Sequence, residues 1–492
     1  MASKAIIGVV LVIMDGLRPD MVTADVMPNL AAFRTIATDF VHAKSVFPSV
    51  TSVAAASIAT GELPVRHGVM GNEAFGAEIS RGRVLDFSDY RILRGLDQSM
   101  SFGLIAVPTF ADVLARANRS VAIVDGGASV ASCLLNPRAA QNRDWTFSTS
   151  GRDATATLDA WDEVVRRHGF PPERELPRFD EVRYATDVFI SEVIAGGPRD
   201  VGVLWLSEPD ATTRYRELGS LESENTLRHV DRQLGRVLAA VDHRQGLERT
   251  LVIVASDHGQ ISATGQVDVA AEMRRAGFRA ADRRDPGAAE VVVTGQGYGA
   301  LHFTTEDEQR KRCLVDWLTE QSWIGHVFTK RAQTSEGEVV QGRFPGTLAL
   351  GIAGLDHERA GDVMFTLASN GGLDRNGMPG RGGHNSVSSH SLGTHGGLNA
   401  AEMSTVLLVA GPGFGRGQIN YAVAGIVDIA PTIAARFGLD LGPGIAGRDL
   451  GAVRSEQRRT IRIAAEAGQF RQSLIVGQAK GMRPEMDGAD GS

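Results

Sequence analysis

Cysteine is almost missing from this chain, with two in 492 residues, Cys133 and Cys313. Two thiols cannot build a disulfide framework, and no CxxC pair or Cys/His finger spacing surrounds them. Aromatic residues are sparse at 6%. A basic excess is absent too: 51 Lys and Arg stand against 58 Asp and Glu, for a net charge of −7. That balance leaves no footprint for a nucleic-acid backbone, so no nucleic-acid partner is expected. Membrane helices need about 20 apolar residues. The one candidate, Ala5 to Met14 (AIIGVVLVIM), is too short and runs straight into Asp15-Gly16 without a small-residue cleavage site. It reads as a buried strand, and the chain as soluble, cytoplasmic and without a membrane partner.

What the chain does have is a hydrophobic content of 43% and 57 glycines, enough for one large elaborated domain or two to three smaller ones. Five apolar runs share a grammar of β-rich stretch, turn and helical pattern. They are IIGVVLVIM (6–14), VAIVDGG (121–127), VGVLWLSEPD (201–210), TLVIVASDHG (250–259) and STVLLVAGPG (404–413). Between them lie amphipathic stretches such as 221–242, with Leu227, Val230, Leu234, Leu238 and Val241 at helical spacing. The alternation predicts an α/β fold with a mostly parallel central sheet and helices on both faces. The rhythm breaks after Gly259. Residues 262–375 read as a smaller α+β cap insertion, with 1–261 and 376–450 as the core. The segment Asn370 to Gly393 reads as a long Gly- and His-rich loop, and 451–492 as a C-terminal helix and disordered tail.

Three of the runs end in an acid: Asp15, Asp210 and Asp257. Ligands of open α/β sheets bind beyond the carboxyl ends of the strands, so the three acids are expected to share one site. His258 follows Asp257, and His395 sits in GTHGG. Such carboxylate and imidazole mixtures suit Zn²⁺ and are tolerated by Mn²⁺. A hydroxyl cluster, Ser49, Thr51 and Ser52 in FPSVTS, precedes an Ala-rich helical stretch from Val53 to Thr60 that Gly61 stops. A hydroxyl at a helix start meets unpaired N–H groups that favour an alkoxide and an incoming phosphate; propensity does not separate the three. Asn72 offers an amide to a phosphoryl oxygen. Gly295 to Ala300 imitates a dinucleotide fingerprint but leads into strand-like LHF, which argues against a nucleotide cofactor there. His67 reads as a structural hydrogen-bonding residue.

In order, the strand end at Asp15-Gly16, FPSVT with SIATGELPVRHGVMGN, SEPD, SDHG and GTHGG resemble the type I phosphodiesterase/nucleotide pyrophosphatase branch of the alkaline phosphatase superfamily. The resemblance covers roughly 1–260 and 380–450. It implies Thr51 as nucleophile and Asn72 as holder of a phosphoryl oxygen. One metal would be held by Asp15, Asp257, His258 and the Thr51 oxygen. A second would be held by Asp210, His395 and a histidine four residues after Asp210. The chain departs from that pattern, because Arg214 occupies the expected ligand position, and a guanidinium cannot coordinate a cation. Three outcomes stand open: His384 or His390 replaces the lost imidazole, a second metal binds weakly through Asp210 and His395 with extra waters, or Arg214 takes over the electrostatic role and holds a phosphoryl oxygen of the substrate in a single-metal site.

Together with these residues, the resemblance implies a metal-dependent phosphoric ester hydrolase acting on phosphodiesters or pyrophosphate-linked nucleotides through a covalent threonyl-phosphate intermediate, with one or two divalent ions per chain, zinc first and manganese or iron as alternatives. Cleavage of a carbon–phosphorus bond, as in phosphonoacetate hydrolases, and phosphomonoester hydrolysis are the runner-up activities. A degraded, metal-poor binding protein is the non-enzyme alternative.

Overall fold

The computed structural model describes residues 8–75, 83–87, 89–99, 103–197, 199–282, 288–331, 340–385, 391–455, 459–478 and 485–488. The strand Val9–Met14 lies near the middle of an eight-stranded sheet and is buried along its whole length. Its side chains alternate between two cores. Val9, Leu11 and Ile13 join one hydrophobic cluster and Val10, Val12 and Met14 the other. A continuous apolar run is what a strand covered on both faces requires. The strand order across the sheet is Gln418–Asn420, Thr38–Phe40, Leu407–Ala410, Leu251–Ala255, Val9–Met14, Val201–Leu206, Val121–Gly126 and Trp145–Ser148. The five strands from Leu251–Ala255 to Trp145–Ser148 are parallel.

The fold is thus the expected α/β architecture, and all five apolar runs lie in this sheet. Leu407–Ala410 runs antiparallel to Leu251–Ala255. The chain reaches that strand from the site end of the sheet, just after His395, so it must descend where its neighbours ascend. The amphipathic stretch forms the helix Leu221–Gln245, whose Leu227, Val230, Leu234 and Val241 pack into the second core. No helix among the described residues is long and apolar enough to cross a membrane.

A six-stranded sheet, in the order Ala280–Ala281, Val291–Thr294, Tyr298–Phe303, Val363–Leu367, Ile324–Thr329 and Leu348–Ala349, stands beside the central one. Period-two alternation again divides its side chains. Val363, Phe365 and Leu367 enter a separate third core, whereas Met364 joins the core of the main sheet. The expected cap boundaries at 262 and 375 fall within the strand Ile261–Val267 and between Ser369–Leu373 and Pro379–Asn385.

Two sequence expectations are corrected. The segment from Asn370 to Asn385 is not a long loop: Ser369–Leu373 pairs with Pro379–Asn385, which in turn pairs with Ile261–Val267. Their glycines and exposed polar residues hide the alternation by which strands are recognised. The C-terminal helix expected within 451–492 is a β-hairpin, Arg459–Ala467 against Phe470–Gln478, with Glu485–Gly488 as a third strand. Gly468, at φ 60°, opens the two-residue turn, and Ala465, Leu474 and Val476 alternate into the main core. Gln472 fixes the hairpin to the six-stranded sheet by bonding both Val327 N (3.0 Å) and Val327 O (3.1 Å). Residues 489–492 of the expected tail lie outside the described residues.

Candidate active site

Three parallel strands deliver the acids. Val9–Met14 ends at Asp15, Val201–Leu206 leads into the short helix Asp210–Thr213, and Leu251–Ala255 leads to Asp257-His258. Because Met14 pairs with Leu206 and Ile13 with Ala255, these three exits lie side by side. The backbone binds them together: Asp210 N donates to Asp15 O at 3.0 Å, and Gly16 N donates to Asp257 Oδ1 at 3.0 Å. His395 arrives from much later in the chain. Ile261, three residues after His258, pairs with Thr394, which stacks the His258 and His395 rings 3.8 Å apart.

Thr51 is the first residue of the helix Thr51–Thr60, following Val50 in an extended conformation with no side-chain cap. Its Oγ1 lies 3.3 Å from His258 Nε2. The geometry separates the three hydroxyls that propensity could not. Ser49 Oγ donates to Gly397 O (2.9 Å) and accepts from Gly396 N (3.1 Å), a structural clamp. Ser52 Oγ is buried with no partner among the described residues. Only Thr51 faces the imidazole.

His258 Nδ1 donates to Gly259 O at 3.0 Å, which turns Nε2 into the site. That nitrogen faces Asp257 Oδ2 at 3.2 Å and Asp15 Oδ1 at 3.5 Å. Both of these oxygens are buried and have no hydrogen-bond partner among the described residues. Their companions are satisfied: Trp205 Nε1 donates to Asp15 Oδ2 at 3.2 Å, and Asp257 Oδ1 accepts from Gly16 and His258 N–H. Burial, followed by the charges of Asp257 and Asp210, pushes the Asp15 carboxyl well above its ordinary range. Burial also raises Asp257 to about 7, with Asp210 adding to the effect. Crowded, orphaned carboxylate oxygens are costly without a cation. The donor types fit a divalent metal.

A second group of donors, Asp210, His258 and His395, adjoins the first. Here Arg214 intervenes. Its Nε donates to Asp210 Oδ2 at 2.6 Å and its Nη2 to His395 Nε2 at 2.5 Å. His395 Nδ1 is held by Ser49 O at 2.8 Å, and Gln260 Nε2 donates to Asp210 Oδ1. Burial alone raises Asp210, but Arg214, His395 and His258 outweigh it and hold that carboxyl well below the usual range. Burial, then His258 and Arg214, keep His395 neutral.

Asn72 is half-buried, and its Oδ1 accepts from Ser52 N at 3.2 Å, which leaves its amide NH₂ for a ligand. Asn72, Arg214, His384 and His395 line one cavity with Glu73, Gln296, Gly297 and Tyr298. His384 belongs to neither donor group among the described residues, and His390 lies outside those residues. The sequence reading missed Trp205, Gln260 and the segment Gly295–Tyr298. Trp205 looks like one more apolar strand residue, and Gln260 has no informative spacing. The glycine-rich segment serves close packing: a Cβ on Gly297 would lie 1.5 Å from His395 O.

The sequence profile of the type I phosphodiesterase / nucleotide pyrophosphatase family matches residues 9–396. No curated protein matches. Among solved structures, the inactive threonine-to-alanine variant of murine ectonucleotide pyrophosphatase/phosphodiesterase 5 in complex with AMP is similar at 16% identity and TM-score 0.58, over 89% of this chain and 96% of that one. Phosphonoacetate hydrolase from Sinorhizobium meliloti with phosphonoacetate matches at 16% identity and TM-score 0.60, over 88% and 96%. Alkaline phosphatase PafA matches at 17% identity and TM-score 0.65, over 92% and 99%. These likenesses are of fold.

Proposed function

The chain belongs to the type I phosphodiesterase/nucleotide pyrophosphatase family of phosphoester hydrolases, and we propose that Thr51 is the nucleophile with which it cleaves its substrate. The observation that carries this reading is the convergence of Thr51 Oγ1, Asp15 Oδ1, Asp257 Oδ2 and His258 Nε2, two of them orphaned carboxylate oxygens. Asp15, Asp257, His258 and the Thr51 oxygen would hold a divalent cation, with zinc best suited to these donors. Such an ion acidifies a bound hydroxyl and offsets charge on phosphoryl oxygens.

The protein's own groups do the rest. The helix Thr51–Thr60 presents its amino end to the incoming anion, which favours negative charge at Thr51. Thr51 Oγ attacks phosphorus, the new O–P bond forms as the bond to the leaving oxygen breaks, and water later cleaves the threonyl phosphate. The Asn72 amide donates to a phosphoryl oxygen. Preorganised donors of this kind are worth about 3–4 kcal/mol each by analogy with oxyanion holes.

A phosphodiester or nucleotide is the favoured substrate class. The fold neighbour bound to AMP, itself an inactive threonine-to-alanine variant, supports both that class and the role of threonine. Thr51→Ala is expected to lose at least about a thousandfold in kcat on bis-p-nitrophenyl phosphate while keeping its circular dichroism spectrum. Turnover near that of the wild type would refute the assignment. Comparing that substrate with p-nitrophenyl phosphate and phosphonoacetate separates diesterase, monoesterase and C–P hydrolase activity.

A further inference from the structure

We propose that Arg214 is a built-in replacement for a second metal ion, so that the site binds one divalent cation per chain and grips a phosphorus oxyanion with a guanidinium. The contrast between the two donor groups carries this. In the group of Asp15, Asp257 and His258, two carboxylate oxygens are buried without a partner. In the group of Asp210, His258 and His395, both Asp210 oxygens and the His395 Nε2 lone pair already accept N–H donors. A dication could take the single Nε2 lone pair of His395 only by displacing a guanidinium that never deprotonates.

The arrangement is written into local structure. Asp210 opens a short helix and Arg214 follows it directly, so four-residue spacing aligns the guanidinium with the carboxylate. The His395 ring is oriented by its bond to Ser49 O, which turns Nε2 toward Arg214. His384, the other imidazole on the cavity wall, falls in neither donor group among the described residues.

Arg214 also keeps binding capacity in hand. Its Nη1 makes no hydrogen bond among the described residues, and the side chain lines the same cavity as Asn72 and Gln296. A tetrahedral phosphorus oxyanion suits such a donor, which is planar and fixed in direction. This gripping role rests on the phosphoester-hydrolase reading; the metal count does not.

The full chain is saturated with Zn²⁺, freed of excess by gel filtration, and its metal counted by mass spectrometry and located by anomalous diffraction. Wild type is expected to hold one zinc, beside Asp15, Asp257 and His258, and Arg214→His to hold two. Two zinc ions in the wild type, a single zinc beside Asp210 and His395, or one zinc in a folded Arg214→His variant each overturn the proposal. Arg214→Ala provides a second readout with inorganic phosphate as probe. Its affinity for the zinc-loaded protein, by calorimetry, is expected to fall at least tenfold, and unchanged affinity contradicts the gripping role. No turnover of mono- or diesters by zinc-loaded wild type would refute the hydrolase reading while leaving the metal count intact.

Discussion

His67 shows how a buried titratable group supports the site without belonging to it. Its Nδ1 accepts from Val69 N at 3.1 Å, so the ring proton sits on Nε2 and points to Ser57 Oγ, 2.9 Å away. The bond ties the segment leading to Asn72 to the helix that starts at Thr51. Burial, followed by the charges of His357 and Arg359, lowers its pKa to about 3. The folded state therefore holds this ring neutral, whereas the unfolded chain protonates it near its ordinary pKa of about 6.5. Stability from the neutral ring is complete above the unfolded pKa and is lost as pH falls toward about 3. Between pH 7.5 and 5 the wild type should lose about 2 kcal/mol more than a His67→Leu variant, measured by urea unfolding at each pH. Equal losses would contradict the assignment. At this scale the sequence told much. Asp15, Asp257, His258 and His395 announce themselves as polar residues that end apolar runs or sit among glycines. Trp205 and Gln260 do not, because their partners are carboxylates distant in sequence.

Among the elements, the helix Thr51–Thr60 is unusual in being buried on every side. Ala54, Ala55, Ala56 and Ala59 let neighbouring elements approach closely, and the helix stops at Gly61, whose N–H donates to Ser57 O at 2.9 Å. Gly61 adopts φ 71°, and a Cβ there would meet Pro431 Cδ at 3.0 Å and Val427 O at 3.3 Å. Gly61→Ala should cost about 1–2 kcal/mol from the left-handed backbone alone, with more from those contacts, as read from the unfolding midpoint. A variant as stable as the wild type would show that this stop is not strained. Five of the eight strands of the central sheet were legible because burial on both faces demands unbroken apolar runs, whereas the short Thr38–Phe40, Trp145–Ser148 and Gln418–Asn420 carry no such run. The strands at 369–385 and the C-terminal hairpin were not legible either. Glycine erases alternation in the first, and Ala464-Ala465 beside Ile461 and Ile463 mimics a helical stripe in the second.

At the scale of the molecule, the site exists only because residues 15, 51, 210, 257, 258 and 395 arrive together. The sheet supplies the shared end for the acids, and the pairing of Ile261 with Thr394 brings the second imidazole. Motif order made this convergence foreseeable. The part played by Gly295–Tyr298 was not, since which surface of the six-stranded sheet meets the core is decided by packing across the whole chain. The most direct measurement is an acid quench of the metal-loaded enzyme during turnover of a phosphorus-labelled diester, followed by peptide mapping. Label on the peptide containing Thr51, absent from Thr51→Ala, is the predicted result. Turnover with no protein-bound phosphate, or with the label on another residue, would contradict the account.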